Sequence, residues 1–145
     1  MMISSLVRAS VSAADRVTSP RVSVLIFHRV LSEPDPLFPG EMHAARFDRL
    51  VSMLASGFRL MTLGQAHRHL SAGTLPPRAL VITFDDGYAD NAEVALPILR
   101  RHGAPCTFFV ASGFLDGGRM WNDSVIECLR RSQRSDVDLS ALGLP

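Results

Sequence analysis

The sequence predicts an α/β fold in which parallel strands are joined by crossover helices. Three observations carry that expectation. Short apolar, β-branched runs recur four times along the chain. The stretches between them place their apolar residues at helical spacing. Glycine and proline mark the joints between the two kinds of segment. Alternation of strand and helix patterns implies parallel pairing, because each strand must be carried back across the sheet before the next begins. The chain has 145 residues, 47% of them hydrophobic, enough for one domain with a buried core.

The elements follow in order. Residues 1–21 read as an N-terminal extension, in which Ile3, Leu6, Val7, Val11 and Ala14 suggest a weak amphipathic helix. Val22–Phe27 is a continuous apolar and β-branched run, the pattern of a buried strand. Leu31–Gly40, rich in proline and acid, reads as a loop. Phe47, Leu50, Val51 and Leu54 fall on one helical face, and Gly57 offers a stop. Phe58–Met61 is a short second strand. Thr62 and Gln65 have the spacing of a capping box, which opens a helix to about Ala72. Ala79–Phe84 is the third strand. Asp90 or Asn91 can cap the next helix, which Pro97 should kink and Gly103 should end. Pro105–Ala111 reads as the fourth strand, and Asn122 as the cap of a last helix through Val125, Ile126 and Leu129.

In such a fold the C-terminal ends of the strands share one rim, where ligand sites gather. His28 follows the first strand, Asp85 and Asp86 the third, and Ser112 the fourth. Consecutive residues leaving a strand point to different sides, so Asp85 and Asp86 should differ in role. One can hold a divalent cation and the other can act as a base, and a cation near both keeps both ionised. Gly87 permits a sharp turn directly after them. A bare Asp-Asp-Gly is more often a tight turn with a helix cap. Here it ends a fully apolar strand, which favours a site.

Composition excludes other classes. The formal charge is +1, which gives no electrostatic case for nucleic acid or a polybasic membrane contact. All 15 basic residues are arginine. No apolar run approaches a membrane span. The start of the chain lacks the pattern of a secretory signal, so cytoplasmic residence is the default expectation. Cys106 and Cys128 have no zinc or disulfide spacing and read as buried free thiols.

At Thr83–Gly87, "TFDDG", the sequence resembles the polysaccharide deacetylases, the family that shares the NodB homology domain (carbohydrate esterase family 4). "VLIFHRV" from Val24, "LPPRALVITFDDGYADN" around the aspartates, "ALPILRRHGAPCTFFVASGFL" from Ala95 and "MWND" from Met120 agree with it. The resemblance covers roughly Val22 to Arg130. It implies a distorted (β/α) barrel and metal-dependent hydrolysis of N-acetyl groups on an amino-sugar polysaccharide in a bacterial setting. Asp85 would be the general base and Asp86 a metal ligand, with zinc the usual ion. His28, Gly87 and Tyr88 are candidates for lining the pocket.

The family completes its metal site with a His-(Ser/Thr)-x-x-His motif, and this sequence has none. Its five histidines are His28, His43, His67, His69 and His102. His67 and His69 diverge by about 200° on a helix and cannot chelate one ion together. His43 reads as surface, and His102 suits a helix C-terminus. Four strands are also about half of a seven- or eight-stranded barrel. Residues 22–145 are therefore expected to be a partial deacetylase domain, impaired when alone and open to self-association through unpaired sheet edges. Two other readings compete. One is a non-catalytic carbohydrate-binding or scaffolding remnant. The other is a nucleotide-sugar glycosyltransferase, a class that also carries acidic residues after a strand.

Overall fold

A computed structural model describes residues 21–133 together with 136, 140 and 143. The helix expected around Ile3–Ala14 lies outside the described residues. The chain forms two compact units, Met1–Ala111 and Ser112–Pro145.

The first unit holds the four strands found among the described residues: β1 (Val22–Phe27), β2 (Arg59–Met61), β3 (Ala79–Phe84) and β4 (Thr107–Phe108). Among the described residues, every pairing between these strands is parallel and is made by β3. β1 matches β3 along its whole length, Val22 opposite Ala79 through Phe27 opposite Phe84. β2 pairs with Ala79–Val81 and β4 with Thr83–Phe84, so these two share the other edge of β3 end to end. The helices between the strands are α1 (Ala44–Gly57), α2 (Leu63–Ser71) and α3 (Leu96–Arg101). The result is the expected α/β arrangement of a partial (β/α) barrel.

One sheet face carries the main core. Leu80, Ile82 and Phe84 of β3, with Leu25 and Phe27 of β1, pack on Phe47, Val51 and Leu54 of α1 and on Ile98 and Leu99 of α3. Phe84 is the hub, with ring centroids 5.4 Å from Phe27, 5.8 Å from Phe47 and 5.1 Å from Phe108. Edge and offset contacts of this kind add to the area the rings bury. The other face is covered by α2 only toward the strand starts, where Val22, Met61, Ala79 and Val81 meet Leu63 and Ala66. Val24 and Ile26, further along that face, are 42% and 60% exposed. The expectation that β1 is buried on both faces is therefore corrected: among the described residues it is an edge strand with one open side.

Local chemistry explains several boundaries. Thr62 and Gln65 form the capping box in full, the Thr62 hydroxyl accepting from the Gln65 amide and the Gln65 side chain accepting from the Thr62 amide. Pro97 has no amide to donate, and the turn before it widens into a π-helix, Asn91–Ala95, in which the Leu96 amide bonds the Asn91 carbonyl. Neither Asp90 nor Asn91 caps this segment with its side chain, contrary to the sequence reading.

β4 is two residues long rather than the seven expected from Pro105 to Ala111. β2 occupies the first three positions of that edge of β3, and β4 pairs with the last two, Thr83 and Phe84. Beyond it, single bonds continue from the Phe109 amide to the Phe84 carbonyl (2.8 Å) and from the Ala111 amide to the Asp86 carbonyl (3.2 Å).

The second unit contains a 3-10 turn, Ser112–Phe114, and α4 (Trp121–Arg131). Asn122 lies inside α4, and the N-cap position is Met120, whose own side chain makes no cap hydrogen bond. Glu127 pairs with Arg130 one turn on, at 3.1 Å. Cys128 is exposed and Cys106 half-buried, both free, so the expectation of two buried thiols fails for Cys128. Burial pushes the Cys106 thiol up, which keeps it protonated and unreactive at neutral pH. Among the described residues no helix is long and apolar enough to cross a membrane.

Candidate active site

β3 is buried at all six positions and delivers Asp85 and Asp86 at its C-terminal end, both half-buried. Asp85 stays in the ladder: its amide donates to the Phe27 carbonyl at 2.9 Å, one step beyond the paired strands. By alternation it falls on the face of Thr83 and Val81, opposite the aromatic core. Asp86 leaves that regime. Its φ is 74°, in the left-handed region, and Gly87 follows at 75°. A non-glycine residue there costs on the order of 1 kcal/mol. The backbone therefore breaks between the two acids, and the carboxylates leave the strand on different courses.

Gly87 is required twice over. Its φ disfavours a side chain, and an added Cβ would lie 2.7 Å from Val110 Cγ1. The segment after β4 thus presses on the acid turn and holds it through the Ala111–Asp86 bond.

Two loops meet at this rim. Asp90 bridges them: its Oδ2 accepts from Arg29 Nε at 2.8 Å and its Oδ1 from the Val30 amide at 3.3 Å. Arg29 also lies over the Tyr88 ring, 4.5 Å from its centroid. Asn91 is buried, and both acceptors beside its amide, the His28 carbonyl at 3.0 Å and Asp90 Oδ1 at 3.3 Å, call for its nitrogen to face them. Sequence reasoning took Asp90 and Asn91 as helix caps and left Arg29 unassigned. The signal that could have separated them is Pro97, which spoils the regular helix start that a cap would serve.

Of the residues expected here, Asp85, Asp86, Gly87 and Tyr88 lie together on the β3 exit. His28 is exposed at the β1 exit, fixed through its backbone carbonyl. Ser112 belongs to the second unit. The other histidines stand elsewhere. His67 and His69 are exposed on α2, with His69 Nδ1 3.0 Å from the Thr74 hydroxyl. His43 occupies the N-cap position of α1 without a side-chain bond to it. His102 does more than sit at a helix end. Its Nε2 and Arg101 Nη2 both reach Asp48 Oδ1 at 2.8 Å, tying α3 to α1. These two hydrogen bonds, His102 first, hold the Asp48 carboxyl below its ordinary range.

A catalytic zinc ion takes three protein donors. Among the described residues no group of three or more His, Cys, Asp and Glu side chains is placed to hold an ion. The carboxylate pair alone does not fit such a metal.

Residues 72–139 match the family described as Polysaccharide deacetylase. The Bacillus subtilis (strain 168) protein YxkH, described as a polysaccharide deacetylase, is 29% identical over 91 residues, 62% of this chain and 32% of its own length. A de-N-acetylase from Aggregatibacter actinomycetemcomitans superposes with a TM-score of 0.58 at 25% identity, over 75% of this chain and 50% of that one. IcaB from Ammonifex degensii gives 0.58 at 31%, over 69% and 41%. The Streptococcus pyogenes deacetylase PplD, solved with acetate, shares the fold with a TM-score of 0.60 at 23% identity, over 78% and 54%. The matched region thus spans about a third of the curated relative and about half of the solved structures. The matched stretch 72–139 includes the strand and turn that carry the paired aspartates, and over it the chain is similar to the polysaccharide deacetylases.

Proposed function

We propose that the β3 exit serves hydrolysis of N-acetyl groups on an amino-sugar polysaccharide. The observation that carries this is local. A fully buried strand ends in two half-buried acids split by a left-handed turn, inside the stretch that matches the deacetylase family. In this reading Asp85 is the general base. Water adds to the acetyl carbonyl carbon as its proton passes to the Asp85 carboxylate. The carbon–nitrogen bond then breaks, and the proton goes on to the departing nitrogen. The products are acetate and a free amine on the sugar.

Asp86 would be one ligand of a divalent metal, zinc by family resemblance, whose chemistry when bound is to polarise the carbonyl and acidify water. The described residues do not complete that site, and no step above depends on it. The sequence supplies no His-(Ser/Thr)-x-x-His pair, so we infer that these 145 residues hydrolyse slowly. The shortage of donors also favours a second reading, a carbohydrate-binding segment without catalysis.

Acetate release from chitooligosaccharides, with and without added zinc, separates the readings. Slow, zinc-stimulated release is expected. Release as fast as that of an intact deacetylase refutes the impairment. Oligosaccharide binding with no acetate under either condition establishes the non-catalytic reading instead.

A further inference from the structure

We propose that Arg29 is a glycan-recognition residue of this site, its guanidinium oriented in advance by Asp90 and Tyr88 so that its Nη groups hydrogen-bond sugar oxygens. The proposal rests on the deacetylase reading and names a contact to its substrate. Position comes first. Arg29 lies two residues past Phe27, whose carbonyl binds the Asp85 amide, and Tyr88 lies two residues past Asp86. The Arg29–Tyr88 contact therefore stands beside the paired acids.

Orientation comes next. Asp90 takes the Arg29 Nε and the Tyr88 ring supports the guanidinium plane, while among the described residues both Nη groups keep their donors unspent on a side chain 43% exposed. Asp90 is itself fixed by the Val30 amide and the buried Asn91 amide. A π-helix, a rare turn often found at functional sites, begins at Asn91. A side chain held at two points loses little further freedom when a ligand arrives. The Asp90 carboxylate offsets the arginine charge, so the exposed donors suit the neutral hydroxyl and carbonyl oxygens of an amino sugar better than a polyanion.

Titration of the isotope-labelled full chain with a tetramer of N-acetylglucosamine, followed by NMR, tests this. Arg29→Met should weaken binding by about tenfold with its unfolding midpoint unchanged, and Arg29→Lys by less. Asp90→Asn should weaken it by a few-fold, because the guanidinium is then loosely held. Binding of Arg29→Met within twofold of wild type overturns the proposal, as does a wild-type chain that does not bind. Acetate release by the wild-type chain, measured in parallel, keeps the two ideas apart. Arg29-dependent binding without acetate sinks the catalytic reading and supports recognition. Acetate with Arg29-independent binding sinks recognition alone.

Discussion

β3 and β1 have equal lengths, similar apolar runs and a shared six-residue register, yet they live in different surroundings. β3 is paired on both edges and buried at every residue. β1 pairs with β3 alone among the described residues and leaves Ser23, Val24 and Ile26 exposed. The strand held on both edges carries the carboxylates, and its neighbour on the open side carries Arg29. A rigid central strand fixes what needs exact placement, while an edge strand needs ties from its neighbour's exit loop.

The largest test of that contrast compares truncations. Phe84→Ala removes the aromatic hub of the core and should cost about 3–5 kcal/mol, whereas Ile26→Ala on the open face should cost less than about 1 kcal/mol. Denaturant unfolding measures both, and equal losses would mean that β1 is covered in solution. Gly87→Ala should be next, destabilising by about 1–3 kcal/mol through its positive φ and the Val110 overlap. It reads how firmly the β3 exit is clamped.

The smallest effect lies in the helical layer over the core. A carboxyl held below its ordinary value contributes stability above about pH 4 and loses it as pH falls through the lowered value. Wild type should therefore exceed Asp48→Asn in stability near neutral pH, and the gap should close in acid, because the His102 and Arg101 bonds act on the ionised form. A gap that persists at low pH would contradict this.

Legibility followed the range of the cause. The bounds of β1 and β3 and the capping box at Thr62 depend on neighbours in sequence, and all were readable there. The exposure of β1 was not, since an unbroken apolar run does not distinguish a central strand from an edge. β4 shrank because β2 had taken part of the edge it needed. His102 and Asp48 are 54 residues apart, and Arg29 and Asp90 are 61 apart, so no local pattern joins them. The place of the paired acids at a strand exit was legible because a strand pattern ran into them. The left-handed turn at Asp86 was visible only as a glycine next door.

The central claim is that neighbouring acids on β3 divide a hydrolytic task. Acetate release from N-acetylglucosamine oligomers by wild type, Asp85→Asn, Asp86→Asn and the double variant tests it most directly. Each single change should bring release to background with the fold intact, and the double should be no worse, as expected for groups that act as a unit. Release that survives Asp85→Asn undiminished would contradict it.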